Sequence, residues 1–152
     1  MAMTFSYRFN NILKIKEKTE EDKINQLASD QKRLDKEKNS LQLLLDKKDC
    51  NLSKWKEITR DNNVVSIKDL QNASMDIQSI NHLVENQFVT VKKHELKLNE
   101  SRNQLIEAKK QTKIFEKLKE KDYDYFKNIQ LKNEATLIDQ LVTFKSTVSK
   151  GG

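Results

Sequence analysis

Apolar residues recur every three or four positions along the first part of the chain. Long polar side chains fill the places where the apolar residue is missing. A repeat that averages 3.5 residues is the seam of a coiled coil, because it keeps one narrow side of a helix against a partner helix. The pattern predicts a first helix over about residues 7–59, with apolar seam positions at Leu13, Ile24, Leu27, Leu34, Leu41, Leu45, Leu52 and Trp55.

The repeat stops near the middle of the chain, at Arg60-Asp61-Asn62-Asn63, a cluster of poor helix formers. Ser66 is followed three residues later by Asp69, the spacing of a capping box. These two signals predict a turn with a short helix start over about residues 60–73.

A second seam follows the turn and predicts a second helix over about residues 74–145. Its apolar positions are Ile77, Ile80, Val84, Val91, Leu98, Leu105, Ala108 and Phe115. The register drifts after Phe115, and a last apolar set comprises Leu137, Leu141, Phe144 and Val148. We expect residues 146–152 to form a flexible tail.

Two seams joined by one break predict an all-α fold, a long antiparallel two-helix coiled-coil hairpin in a single domain over residues 1–152. The second helix is the longer one, so it should overhang at the C-terminus. Apolar residues in that overhang have nothing in the hairpin to cover them, which favours a partner; a frayed tail is the alternative.

Composition narrows the class of protein further. The chain has no Pro, and its only two Gly are Gly151 and Gly152, so it lacks the turn residues of sheet folds. The longest apolar run is Leu43-Leu44-Leu45, far short of the ~20 residues that span a bilayer. The N-terminus has no signal-peptide pattern, and we expect a cytoplasmic protein.

Candidate chemistry is sparse. The net charge of +6 is spread along the chain, which argues against nucleic acid as a partner. His82 and His94 are too far apart in sequence for a typical zinc site, and His94 is expected as a polar seam position. Cys50 flanks the first seam as a small hydrophobe. Because a two-helix hairpin offers no pocket that desolvates a catalytic group, we expect no enzyme activity and no cofactor.

Two segments resemble a known family. Tyr7-Arg8-Phe9-x-x-Ile12-Leu13-x-Ile15-Lys16-Glu17 resembles the opening of the flagellar export protein FliJ family. The segment that runs from Arg102 through Leu118-Lys119-Glu120-Lys121 to Tyr125-Phe126 resembles that family's second-helix signature. The length and the central break agree with the family along nearly the whole chain.

The resemblance implies a non-enzymatic, soluble component of the flagellar type III export apparatus. Family members are antiparallel coiled coils similar to the central stalk of rotary ATPases. They insert the end that bears both termini into the hexameric export ATPase and promote its assembly and activity. The other end reaches the cytoplasmic domain of the export gate, and some members bind export chaperones. The protein would then be a monomer alone, cytoplasmic, and recruited to the membrane at the flagellar base only through its partners.

The resemblance also implies contact residues. The ATPase ring would meet aromatic and basic side chains near the end that bears the termini: Phe5, Tyr7, Arg8, Phe9, Lys113, Lys117, Lys121, Tyr123, Tyr125 and Phe126. The export gate would meet the hairpin tip at Leu70, Ala73, Met75 and Ile77. The family often carries aromatics just after the turn, whereas this chain has none there before Phe88.

Two other functions fit the same pattern. One is the homologous stalk of a virulence type III secretion system, which shares the fold and the mechanism. The other is a generic dimeric coiled-coil scaffold, whose seams would pair between chains instead of within one chain. The oligomeric state distinguishes this scaffold from a hairpin.

Overall fold

The computed structural model describes residues 4–60 and 66–150, with side chains through residue 148. Two α-helices make up almost all of this part of the chain. Helix α1 is Asn10–Arg60, with 51 residues, and helix α2 is Ile67–Lys150, with 84 residues. The two helices pack against each other, which confirms the predicted pair of long helices.

Helix α2 begins at the predicted cap and not near residue 74. The Oγ of Ser66 accepts a hydrogen bond from the Asp69 N–H at 3.2 Å, and the Ser66 carbonyl accepts one from the Leu70 N–H at 3.2 Å. These bonds satisfy amide groups that have no partner in the first turn of a helix, so α2 can start at Ile67. The predicted break at residues 61–63 lies outside the described residues.

The far end of α2 also differs from the prediction. Residues 146–150, predicted as part of a flexible tail, belong to α2. The segment contains no Pro, and the first Gly is Gly151, so no residue before that point opposes the helix.

The chain divides into two compact units. Unit 1 comprises Met1–Glu21 and Glu107–Gly152, and unit 2 is Asp22–Ile106. Each unit contains a part of α1 and a part of α2. The single domain over residues 1–152 stays a prediction.

Unit 2 has a small apolar core. Leu34, Val91 and Leu98 are buried together, and Leu27 and Leu41 pack against them. A Leu residue buried to this degree contributes about 1.5–3 kcal/mol relative to an exposed one. The core therefore uses Leu27, Leu34 and Leu41 of α1, which are spaced seven residues apart and were predicted as seam positions.

Polar side chains alternate with these leucines on the buried side of α1 in unit 2. Lys23 donates from Nζ to Oε1 of Gln104 at 3.0 Å, and the buried Asp30 accepts from Ser101. Gln87 donates to the carboxylate of Glu37 at 2.6 Å. As the residue number in α1 rises from Lys23 to Glu37, the residue number of the hydrogen-bond partner in α2 falls from Gln104 to Gln87.

These polar positions correct one part of the predicted seam. Ile24 is exposed, contrary to the prediction, whereas its neighbour Lys23 is half-buried. The stripe keeps its 3.5-residue repeat but runs through Lys23, Asp30 and Glu37, because partners in α2 satisfy their polar groups. The other predicted seam residues are buried or half-buried in their own units.

Candidate partner-binding surfaces

Six aromatic side chains make two groups of ring contacts in unit 1, where the segment before α1 lies against α2: Phe5 with Tyr123 and Phe126, and Phe9 with Tyr7 and Phe115. We call Phe5, Tyr7, Phe9, Phe115, Tyr123 and Phe126 the aromatic cluster. The ring centroids of Phe5 and Tyr123 are 5.2 Å apart in an edge-to-face arrangement, and those of Phe5 and Phe126 are 5.6 Å apart. The Phe9 ring lies 6.4 Å from that of Phe115. Such pairs stabilise by about 0.5–1.5 kcal/mol beyond their buried area.

Tyr7 anchors the N-terminal segment to α2. Its side chain is only 6% exposed, and its hydroxyl donates a hydrogen bond of 2.9 Å to the Phe115 carbonyl. Burial raises the pKa of the Tyr7 phenol above its ordinary value of 10.0, and the negative charge of Asp122 raises that pKa further. The phenol thus keeps the proton that this hydrogen bond needs at neutral pH.

Basic side chains surround the aromatic cluster. The Arg8 guanidinium carbon lies 4.9 Å from the centroid of the Phe9 ring, and Lys127 Nζ lies 5.5 Å from that of Tyr123. Lys16 Nζ is 6.0 Å from the centroid of Phe115. Each contact lies within the distance at which a cation is attracted to an aromatic face. The result is a surface that combines aromatic edges with positive charge.

The predicted ring-contact residues therefore divide into two groups. Tyr7 is buried, and Phe5, Phe9 and Phe126 are half-buried against their aromatic neighbours. Tyr123 belongs to the aromatic cluster through its contact with Phe5 but is 43% exposed. In contrast, Tyr125 is 68% exposed, and Arg8, Lys113, Lys117 and Lys121 are exposed as well. The exposed group can reach a partner without any change in the packing of unit 1.

The predicted tip residues lie in the first turns of α2. Leu70, Ala73 and Ile77 are half-buried, whereas Met75 is 66% exposed. Trp55, near the end of α1, is half-buried. Residues 61–65, which connect α1 to the segment before α2, lie outside the described part of the chain.

A third surface occupies the last turns of α2. From Leu131 to Val148 every side chain is exposed, including Leu137, Leu141 and Phe144. The α-helix nevertheless continues through this segment. An exposed apolar surface that continues over several helical turns is a candidate interaction site.

Sequence reasoning missed the polar positions that α1 contributes to the interhelical contact. The buried Asp30 carboxylate accepts a hydrogen bond from Ser101 in α2, and the Lys16 carbonyl accepts one of 3.3 Å from the buried Thr112 in α2. One signal was present in the sequence. Polar residues recur every seventh position at Lys16, Lys23, Asp30 and Glu37, in step with the leucines.

Metal ligation finds no support among the described residues, and the cysteine lies at the surface. Among the described residues, no three His, Cys, Asp or Glu side chains lie close enough to hold a metal ion. Cys50 is exposed, so it does not pack as the small hydrophobe that the sequence suggested. Neither α1 nor α2, over their described lengths, has a stretch long and apolar enough to cross a membrane.

The fold defines a class of protein: an all-α protein built from two long helices that pack against each other. The sequence profile described as "Flagellar FliJ protein" matches residues 5–150. The chain therefore belongs to the flagellar FliJ protein family, whose members are structural export components and not known enzymes. Comparisons with curated proteins and with solved structures give no match.

Proposed function

We propose that this protein is the stalk-like coiled coil of the flagellar type III export apparatus. It binds the hexameric export ATPase, promotes assembly and activity of the ring, and links the ring to the cytoplasmic domain of the export gate. Export chaperones are further partners of the same protein. The observation that carries this proposal is the family match over residues 5–150.

The proposed architecture is an antiparallel hairpin whose second helix extends past the first at the C-terminus. The falling order of α2 partners along α1 in unit 2 supports it, from Lys23 with Gln104 to Glu37 with Gln87. The difference in length between α1 and α2 supports the longer second helix.

We assign ATPase binding to the exposed side chains next to the aromatic cluster. Tyr125 supplies an exposed ring, and Arg8, Lys113, Lys117 and Lys121 supply positive charge for acidic loops in a ring lumen. The buried Tyr7 positions the N-terminal segment and does not itself touch the ATPase. The tip residues around Met75 bind the export gate, and these partners hold the protein at the cytoplasmic face of the membrane.

The decisive experiment adds the purified protein to the export ATPase of the same organism and follows ATP hydrolysis and hexamer formation. The native protein should stimulate hydrolysis and promote ring assembly. Tyr125→Ala should weaken both effects and leave the helical content unchanged, because the side chain is exposed. Phe88→Ala is the matched control, since Phe88 is an exposed aromatic residue of α2 in unit 2.

Failure of the native protein to bind or stimulate the ATPase would refute the proposed function. Equal loss of stimulation in Tyr125→Ala and Phe88→Ala would refute the assigned surface alone. Normal stimulation by Tyr125→Ala would do the same.

A further inference from the structure

The exposed apolar residues at the end of α2 form one continuous surface that neither proposed partner uses. We call Leu131, Ala135, Leu137, Ile138, Leu141, Val142, Phe144 and Val148 the C-terminal face. At 3.6 residues per turn these side chains fall on one half of the helix. The opposite half is polar, with residues such as Thr136, Asp139 and Thr143. An apolar stripe this wide exceeds a single coiled-coil seam. It can cover a second helix along the line where the two helix surfaces touch, which we call the contact line, and on both sides of that line.

The order of residues in this segment has a twofold pattern. From 131 to 148, apolar and polar residues follow the same order read from either end, about the midpoint between Asp139 and Gln140. Leu131 thus corresponds to Val148, and Ile138 corresponds to Leu141. A helix with this property presents the same face when it is turned end over end. Self-complementarity of this kind is what a twofold interface between identical chains requires.

We propose that the C-terminal face binds the same face of a second copy of this chain, with the two helices antiparallel. Ile138 of one copy then packs against Leu141 of the other, and Leu131 packs against Val148, as in the layers of an antiparallel coiled coil. Leu137 flanks this line next to the other copy's Phe144, and Ala135 flanks it next to the other copy's Val142. Every residue of the C-terminal face is covered by this arrangement.

Charge selects the antiparallel direction. Glu134 and Lys145 are the charged residues that lie on the contact line between the apolar positions. In the antiparallel pair, Glu134 of each copy meets Lys145 of the other. A parallel, in-register pair would place Glu134 against Glu134 and Lys145 against Lys145, and like charges at such positions oppose pairing.

The part of α2 beyond its contacts with the N-terminal segment is long enough for this pairing. Within unit 1, the last α2 residue in a ring contact with the N-terminal segment is Phe126, which contacts Phe5. In the proposed register, the second copy's helix ends at Lys150, opposite residue 129 of the first copy. The two chains therefore pair only along the exposed segment and leave the aromatic cluster undisturbed.

The pairing replaces the monomer that the sequence predicted for the isolated protein. Two helical segments of this length form an interface below about 1,200 Å², the size of weak and transient contacts. The dimer should therefore form over the micromolar range and dissociate on dilution. It covers the apolar face of the free protein and leaves the surfaces proposed for the ATPase and the gate unoccupied.

Analytical ultracentrifugation of the full chain tests this proposal by charge reversal. Native protein should shift from monomer to dimer as its concentration rises. Glu134→Lys should weaken the association about tenfold or more, because each dimer then contains two lysine pairs. Lys145→Glu should weaken it similarly, through two glutamate pairs. An equimolar mixture of the two variants should associate again, since both contacts in the mixed dimer join opposite charges.

Asp139→Lys is the matched control, because it makes the same acid-to-lysine change on the polar half of the same helix. This variant should dimerise like the native protein. All three substituted residues are exposed, so far-UV circular dichroism should remain unchanged.

A native protein that stays monomeric at the highest concentration would overturn the proposal. So would equal weakening by Glu134→Lys and Asp139→Lys, or a mixture of the two charge variants that fails to associate. None of these results depends on the ATPase, so the outcome is separate from that of the proposed function.

Discussion

The carboxylate of Asp30 in α1 accepts a hydrogen bond from the hydroxyl of Ser101 in α2, and both side chains are buried. The two residues lie 71 positions apart in the sequence. A buried carboxylate is costly unless its hydrogen bonds are satisfied, so this pair constrains how the helices of unit 2 align. A shift of one helix past the other would leave Asp30 buried without its partner.

Ser101→Ala should destabilise the protein by about 1–3 kcal/mol, because it leaves the buried Asp30 carboxylate without this hydrogen bond. Urea denaturation followed by far-UV circular dichroism measures the free energy of unfolding. Ser79→Ala is the control, since Ser79 is an exposed serine of the same helix and unit. A change no larger than that of the control would contradict the structural role of the pair.

The double variant Asp30→Leu/Ser101→Ala should recover much of the stability that Ser101→Ala loses. It removes both polar partners at once, and an apolar pair at a buried position can be nearly neutral. The same denaturation experiment measures the difference. Further loss in the double variant would show that Asp30 stabilises the fold through another interaction.

Leu34→Ala should cost about 2–5 kcal/mol, because Leu34 is buried in the core of unit 2 with Val91 and Leu98. Ile24→Ala should lower the free energy of unfolding far less, by about 0.5–1 kcal/mol at most, since Ile24 is exposed in the same helix and unit. Chemical denaturation of both variants compares a buried and an exposed position that the sequence pattern treats alike. Similar losses at the two positions would mean that Ile24 belongs to the seam.

The N-terminal segment should detach at alkaline pH. The pKa of Tyr7 is raised above its ordinary value of 10.0, so the folded state favours the protonated phenol. The stabilisation is complete below pH 10 and is lost as the pH rises through the raised pKa, where the hydroxyl no longer donates to Phe115. The near-ultraviolet absorbance of the native protein and of Tyr7→Phe is measured as the pH rises. The difference between the two titration curves reports the ionisation of the Tyr7 phenol alone. A midpoint at or below 10 would contradict the prediction.

Gln31→Pro should interrupt α1 within unit 2, at a cost of about 3 kcal/mol or more, because proline removes a helical hydrogen bond and clashes with the preceding turn. Leu105→Pro should do the same in α2. We expect both variants to abolish swimming when each replaces the native protein in its flagellated organism, since the proposed function needs unbroken helices. Gln31→Ala is the control, and normal motility of the proline variants would argue against this requirement.

The aromatic cluster illustrates how far the candidate site could be predicted. The family resemblance implied Phe5, Tyr7, Phe9, Tyr123, Tyr125 and Phe126 as partner contacts near the end that bears the termini. It could not separate the buried Tyr7 from the exposed Tyr125. That distinction depends on the Phe115 carbonyl, which lies 108 positions from Tyr7 in the sequence.

The sequence by itself determined the two long helices, because helix formation depends on local residue preference and on a repeat that is visible within a few turns. The absence of Pro and the placement of Ser66 fixed where α2 can run and where it starts. Only the tertiary structure decided which of two neighbouring residues, Lys23 or Ile24, lies on the buried side of α1. Hydrophobicity alone favours Ile24, but Gln104 supplies the hydrogen bond that makes Lys23 acceptable there, and the spacing of residues within α1 carries no information about that partner.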